Sequence, residues 1–300
     1  MRVSTGQLQM TLLLGMQNGQ NQYNTLLAQM AGGNRILKPS DDALGSVRLL
    51  DLTRQQSSLN QYQNNIAQVK SSLSAEETQL SSVNEVLLRV RDLTLEAGNG
   101  AIGVDERKAI NNELSVLRDS LVDFANAKGE QGNYLFSGSQ VDKPAVVKDA
   151  TGKYIYQGDT LVREVNVSKG VAVKVNDTAQ SLFFSGGNNF FDQLTTFIDT
   201  LDTATGDVNA DMQTALGQID DVLSSVTRTL TDIGGRQNML DQLDSAHGDM
   251  LLYSQKLSTD ISALDYGKAS VQANQVLLQL QSTQAAYLKL NNLSLFGQNS

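Results

Sequence analysis

Apolar residues recur at alternating steps of three and four along most of the chain, a spacing typical of helices that pack through one narrow stripe. The longest regular stretch has a single interruption, where Glu76 takes a position on the stripe. The pattern predicts a long helix with one apolar seam. The seam comprises Leu59, Tyr62, Ile66, Val69, Leu73, Leu80, Val83, Leu87 and Val90.

The predicted long helix has recognisable ends. We expect it to begin at Ser40, a good N-cap, with Asp41 and Asp42 in the first turn, where negative charge favours the helix dipole. It ends near Ala97, because a glycine-rich stretch follows, and its length is then on the order of 80 Å. Asp105 is expected to cap a second, antiparallel helix. The seam of that helix comprises Ile110, Leu114, Leu117, Leu121 and Phe124.

Short β-type runs replace the helical pattern after Lys128. Turn-forming residues at 149–152 and 168–170 separate these runs. We predict a small, mostly antiparallel β domain over 137–187, inserted between helices. The runs are Tyr134–Phe136, Val146–Val147, Tyr154–Tyr156, Val165–Val167 and Val171–Val175.

Helical seams return near Asn188. One seam extends from Leu216 to Ile233 and is expected to shift register after Gly234–Gly235. His247 falls on the continued seam, in register with Leu243 and Met250. This position favours a histidine that packs beside a partner helix over a metal or proton-relay site.

Both ends of the chain carry a narrow apolar stripe. A stripe of this width does not stabilise an isolated helix, so we expect the two ends to pack against each other or against another subunit. The C-terminal stripe comprises Ala269, Ala273, Val276, Leu280, Thr283, Tyr287 and Leu290, and the N-terminal one Leu8, Leu12, Met16, Tyr23, Leu26 and Met30.

The composition excludes several classes of protein. The absence of cysteine removes disulfides, thiolate nucleophiles and cysteine metal sites, and one histidine removes multi-histidine zinc sites. Two prolines, no tryptophan and 5% aromatic residues favour long helices over a compact aromatic core. A net charge of -9 argues against nucleic acid and anionic membranes as partners. We expect neither a membrane span nor a cleavable Sec signal, and we expect secretion, if any, to use another route.

One glycine cluster has the letters of a cofactor motif. Gly98, Gly100 and Gly103 fit G-x-G-x-x-G, but that motif requires a strand before it, and here a helix precedes. An interhelical loop is the favoured interpretation. Asp41 and Asp42 diverge around a helix and cannot act as a catalytic pair. We therefore expect no enzyme activity and no catalytic, cofactor-binding or metal-binding residue.

Four segments resemble the flagellin family, and within it the hook-associated proteins of the hook-filament junction. The helix entry is Gly33–Asp42, with Arg35, Pro39, Ser40, Asp41 and Asp42 as its signature. The chain begins Met1–Thr5, enters the β insertion through Gly132–Gly138, and carries Asn292–Phe296 near its end. Filament flagellins usually finish on a short leucine-rich stretch ending in arginine, whereas the sequence here ends Gly297-Gln298-Asn299-Ser300.

The resemblance implies a mainly α fold, a long antiparallel helical rod or coiled coil built from both chain ends, with a small inserted β domain. Its expected domains are a terminal coiled coil (1–40 plus 256–300), a helical rod (41–136 plus 188–255) and the β insertion (137–187). The expected interface of the terminal coiled coil and between subunits comprises Leu8, Leu12, Met16, Leu26, Val276, Leu280, Tyr287, Leu290, Leu293, Leu295 and Phe296.

The resemblance also implies partners and a location. We expect an adaptor between a hook-associated junction protein and flagellin, with further copies of itself in a ring-like helical layer. Export unfolded through the flagellar type III apparatus would bring it from the cytoplasm to the extracellular flagellum, after a chaperone has bound Val276–Leu295. No nucleic acid and no membrane insertion are expected. The alternatives are a filament-forming flagellin, an enzyme that uses the glycine loop and a soluble coiled-coil chaperone.

Overall fold

The computed structural model describes residues 2–99, 102–129, 131–203 and 208–296, and the side chains of 6–290 within those ranges. Its helices are α1 (Arg2–Gly32), α2 (Ala43–Ala97), α3 (Val104–Ala125), α4 (Ala179–Phe183), α5 (Phe190–Thr203), α6 (Asn209–Ser262) and α7 (Tyr266–Phe296). Its strands are β1 (Val146–Lys148), β2 (Tyr154–Tyr156), β3 (Glu164–Ser168) and β4 (Val171–Lys174). The predicted mainly α fold with long helices and a small β insertion is confirmed.

The chain forms two compact units, which we name the terminal unit (Met1–Ser58 with Met250–Ser300) and the central unit (Leu59–Asp249). The three-domain division expected from the sequence stays a prediction. Among the described helices, none combines the length and the apolar character needed to cross a bilayer.

In the central unit, α2 and α6 run antiparallel. Polar contacts join them in reverse order along the two helices: Arg91 bonds Asp220 at 2.8 Å, and Glu77 accepts from Gln237 at 2.9 Å. The Arg89 guanidinium bonds Glu113 at 2.7 Å, which ties α3 to the end of α2 as the predicted hairpin requires. The buried seam of α2 is Leu59, Ile66, Val69, Leu73, Glu76, Leu80, Val83, Leu87 and Val90.

The α6 seam keeps one register throughout. Ile219, Val226, Ile233, Leu240 and His247 are all buried and follow one another at seven-residue intervals. The predicted register shift after the paired glycines is therefore wrong. A seven-residue interval keeps one face of a supercoiled helix toward its partner, and the glycines do not interrupt α6.

The helix starts also differ from expectation. Asp42, not Ser40, is the residue whose carboxylate accepts from a first-turn amide of α2, at 2.8 Å from Gly45. At α3 the N-cap is Gly103, whose N–H donates to the Glu106 carboxylate at 2.9 Å. At the start of each helix, several neighbouring side chains can accept a hydrogen bond from the first-turn amides. The local backbone geometry decides which of them does so.

The β insertion consists of two separate antiparallel hairpins, β1–β2 and β3–β4. Four of the five predicted runs form strands. The fifth, Tyr134–Phe136, forms only an isolated bridge to Lys128, because left-handed glycines at 132 and 138 bend the chain on both sides of it. Phe136 instead enters the core of the central unit.

A phenylalanine cluster joins the insertion to α5. The rings of Phe183 and Phe191 have centroids 4.9 Å apart, and Tyr154 of β2 lies 5.5 Å from Phe191. The Tyr154 amide donates to Asp192 at 2.8 Å, which fixes the β1–β2 hairpin at the start of α5. The short helix α4, which carries Phe183, was not predicted.

Candidate assembly site

The terminal unit pairs α1 with α7. On α7 the predicted stripe is the inward face, because Ala269, Ala273 and Leu280 are buried there. On α1 the partly buried positions recur at steps of three and four and include Leu12, Met16, Tyr23 and Leu26. The predicted pairing of the two chain ends is thus formed within one subunit. The remaining members of the α7 stripe, Val276, Thr283, Tyr287 and Leu290, are half-buried.

One close contact and one shared groove describe how the helices pair. Leu280 lies directly over Gly19, where a Cβ atom on the glycine would be 2.9 Å from the leucine Cδ2 and 3.2 Å from its Cγ. Leu26 and Val276 line one shared groove farther along the pair. The absence of a side chain at Gly19 is therefore what allows Leu280 to be buried.

Some predicted interface residues lie elsewhere. Leu8 is 47% exposed, and the partly buried position at this level of α1 is Gln9. Leu8 therefore lies on the outer side of α1, and its predicted place in a contact between subunits stays a prediction. Leu293, Leu295 and Phe296 fall in α7, but their side chains lie outside the described residues.

Most of the large exposed apolar side chains belong to the terminal unit. Among its described side chains, only Ala269, Ala273 and Leu280 form a buried apolar set. Exposed apolar side chains in this number make the terminal unit the candidate for contacts with other protein surfaces. We name it the terminal apolar surface: Leu8, Met10, Leu13, Leu14, Leu27, Leu37, Leu44, Val47, Leu50, Met250, Leu252, Tyr253, Tyr266, Val271, Leu277, Leu278 and Leu288.

The helix pair is also nearly free of charge. Neither α1 nor α7 contains an aspartate or glutamate, and their charged residues are Arg2, Lys268 and Lys289. Burying ions is costly, whereas amide and hydroxyl groups need only hydrogen bonds. The pair can therefore be covered by other protein surfaces with little loss of ion hydration, although the whole chain carries a net charge of -9.

The helix-entry signature forms the link between α1 and α2 and fastens it to the link between α6 and α7. The Arg35 amide donates to Ser262 O at 2.7 Å, and Asn34 forms an antiparallel bridge with Ala263. The Arg35 guanidinium bonds both the Asp42 carboxylate, at 2.9 Å, and Ile261 O, at 3.1 Å. One arginine thereby connects segments from the two ends of the chain.

The two aspartates of the signature stabilise the turn by different bonds. Asp41 accepts from the amides of Leu37 and Lys38, at 3.0 and 2.9 Å. Asp42 caps α2, and the hydrogen bond from the Gly45 amide, followed by the bond from Arg35, lowers the pKa of its carboxyl. Both carboxylates are thus occupied with structural bonds. The other two signature residues, Pro39 and Ser40, are exposed in the turn.

The Gly132–Gly138 segment is a second structural turn. Gly138 has φ 73°, and a Cβ atom there would overlap the carbonyl oxygen of Asp159. The Asp159 carboxylate accepts from the Ser139 amide at 2.8 Å, and its carbonyl accepts from the Tyr156 hydroxyl at 2.6 Å. Burial, with a smaller contribution from Asp159, raises the pKa of Tyr156 to about 12.

His247 and the glycine cluster, which could suggest a metal, proton-relay or cofactor site, were also located in the structure. His247 is buried against Tyr62, with ring centroids 5.6 Å apart, and its Nε2 lies 3.3 Å from Ser168 Oγ. Gly98 follows α2 and Gly103 caps α3, while Gly100 lies outside the described residues. Within the described ranges, no group of three or more histidine, aspartate or glutamate side chains is arranged to hold a metal ion.

Comparison with known proteins agrees with this architecture. Residues 3–141 match the family model of the bacterial flagellin N-terminal helical region. Flagellar hook-associated protein 3 of Escherichia coli K12 is 26% identical over 99% of both chains. A solved structure described as a flagellar hook-associated protein from Vibrio parahaemolyticus is 39% identical over 74% of this chain and all of that one, with a TM-score of 0.70.

A fourth comparison concerns the fold alone. The crystal structure of the flagellar junction protein FlgL from Legionella pneumophila covers 72% of this chain and 99% of that one, at 20% identity and a TM-score of 0.61. This architecture, together with the similarity to flagellar hook-associated proteins, identifies the chain as a component of the flagellum. The chain belongs to the flagellin family, in its hook-associated protein 3 branch.

Proposed function

We propose that this chain is a non-enzymatic adaptor that joins the hook-associated junction zone of the flagellum to the flagellin filament. The observation that carries the proposal is the terminal apolar surface, because one subunit leaves it open to water. Neighbouring copies in a ring-like layer would cover it. Similarity to hook-associated protein 3 along the whole chain supports this assignment over a role confined to the helical N-terminal region.

The proposed route to the flagellum is unfolded export through the type III apparatus, from the cytoplasm to the extracellular junction. A hook-associated junction protein would contact the layer on the hook side and flagellin on the filament side. Before export, a chaperone would cover the stripe from Val276 to Leu295. The three domains would then be the terminal coiled coil (1–40 plus 256–300), the helical rod (41–136 plus 188–255) and the β insertion (137–187).

Deletion of the gene tests the proposed junction role. We expect cells without this protein to complete the hook, to lose filament attachment and to release flagellin into the medium. Electron microscopy of the cells and immunoblots of the medium measure both effects. Firmly attached, full-length filaments in the deletion strain would refute the junction role.

A matched pair of variants tests whether the terminal apolar surface makes the assembly contacts. Leu278 in α7 and Leu161 in the β insertion are each 63% exposed, so a polar replacement at either position disturbs the isolated fold little. We expect Leu278→Asn to impair incorporation into flagella and Leu161→Asn to leave it intact. Equal incorporation of both variants, with equal thermal melts, would show that this surface is not the contact.

A filament-forming flagellin is the second candidate, favoured by the match of residues 3–141 to the flagellin helical region. Immunogold labelling separates the two functions. Labelling confined to a band at the end of the hook supports the adaptor, whereas labelling along the filament supports the flagellin.

A further inference from the structure

Glu76 is a carboxyl group in an apolar seam. It lies on α2 seven residues from Val69 on one side and from Val83 on the other, and both valines are buried. The glutamate itself is 0% exposed. Neither of its carboxyl oxygens has a hydrogen-bond partner that meets ordinary geometric limits among the described residues. An ionised carboxylate in such a place would be costly, so the neutral acid is the form that suits the site.

The charged groups that face Glu76 come from three other segments. Arg236 of α6 lies close, but its guanidinium bonds the Asp177 carboxylate at 2.5 Å and Lys174 O at 3.2 Å. The Asp177 carboxylate therefore offsets the positive charge of this arginine. Arg163, before β3, is the remaining cation, and its Nε is buried without a hydrogen bond.

The surroundings of Glu76 disfavour ionisation of its carboxyl group. Burial is the main cause that raises the pKa of Glu76 well above 4.5, and Asp177 raises it further, whereas Arg236 and Arg163 oppose the shift. The Asp177 backbone N–H also faces the carboxyl and opposes the shift, without completing a hydrogen bond of normal geometry.

The carboxyl lies where the exit of the β3–β4 hairpin meets the two long helices of the central unit. One turn before Glu76, Ser72 Oγ donates to Val175 O at 3.2 Å. The Val175 amide donates to Arg163 O at 3.0 Å, and the Arg163 amide donates to the buried Asn176 side chain at 2.7 Å. Segment 174–178 is therefore fastened to α2, α6 and the approach to β3 around this one acid.

We propose that Glu76 is a proton-operated lock that holds segment 174–178 against the helices when neutral and releases it when ionised. In the closed state the acid keeps its proton and packs as an uncharged group. When the proton passes to solvent, the carboxylate needs water or Arg163 as a partner, and the segment must open to supply either. Opening therefore becomes easier as pH rises.

Hydrogen exchange in the full-length protein measures this opening directly. In the open state Glu76 is hydrated and titrates near 4.5, so the open population grows about tenfold per pH unit above that value until the closed state also ionises. After correction for intrinsic exchange, we expect this rise at the amides of Arg163 and Val175. Glu76→Gln mimics the neutral acid and should abolish this rise with pH. Relative to the wild type, we expect the variant to open less at about pH 8 and equally near pH 4.

Glu85→Gln is the matched control, because Glu85 is an exposed residue of the same helix. We expect it to keep the pH dependence of the wild type. If Glu76→Gln shows the same pH dependence as the wild type, the lock is overturned. If that variant does not fold, infrared titration of the wild type with isotope-labelled glutamate decides. A protonated carboxyl band that persists at neutral pH supports the lock, and its absence overturns it.

Discussion

Filling the space over Gly19 should separate the terminal helices. The glycine Cβ position is only 2.9 Å from Leu280 Cδ2, whereas carbon atoms at rest lie about 3.5 to 4.0 Å apart. Valine at this position would add two further methyl groups toward a leucine that is 6% exposed. Leu280 would have to change rotamer or shift between the helices, or α1 would have to move away.

The expected magnitude follows from two opposing effects. Overpacking costs about 1 to 3 kcal/mol, and replacing glycine by valine within a helix returns a few tenths. We expect Gly19→Val to weaken the pair by about 1 to 2 kcal/mol, which corresponds to an increase of about 5- to 30-fold in its open population. Hydrogen exchange of the α1 and α7 amides in the purified full chain measures this population.

Gly15→Val provides the control, because no atom beyond the adjoining residues and backbone of α1 lies within 4 Å of the Cβ position at Gly15. It has the same propensity effect on the same helix without the contact, so exchange should not accelerate. Adding Leu280→Ala to Gly19→Val should recover part of the loss, since the smaller side chain makes room. Equal exchange in the two valine variants would refute the role of the contact.

Two further predictions concern the turns. Arg35→Lys should weaken the connection between the two chain ends by about 0.5 to 1 kcal/mol, because an ammonium cannot bond both Asp42 and Ile261 O in the geometry of the guanidinium. Faster hydrogen exchange in the α6–α7 link would show the effect, and unchanged exchange would contradict it. Gly138→Ala and Gly152→Ala both force alanine into a left-handed conformation, but only the first also overlaps Asp159. Gly138→Ala should therefore lower the urea midpoint more, and equal midpoints would exclude the overlap as a cause.

The sequence predicts the long helices because the seven-residue period repeats over many turns. Glu76 and His247 were placed on seams by spacing alone, and both are buried. The α4 helix and the phenylalanine cluster could not be predicted, because five residues do not establish a period and the cluster is assembled from three elements. Tyr134–Phe136 was predicted as a strand and does not form one, since three apolar residues fit a strand or a bent core segment equally well.

The candidate site was only partly predictable for similar reasons. Apolar residues occur on several sides of α1, so the partner helix decides whether Leu8 or its neighbour turns inward. In the sequence, Gly19 interrupts an apolar stripe. Its role, which is to leave room for the Leu280 side chain, follows only from the packing of α7 on α1. The extent of the terminal apolar surface depends on what a single subunit leaves uncovered, which spacing along the chain does not reveal.

The bond between Arg35 and the end of α6 joins residues 226 positions apart and therefore favours one order of folding. Closing so long a loop from the unfolded chain is entropically unfavourable. Once the central unit has folded, Tyr62 and His247 are already in contact. The loop left to close then contains roughly 40 residues, which lowers the closure cost by about 1.5 kcal/mol. The central unit should form first, and the two chain ends should meet last.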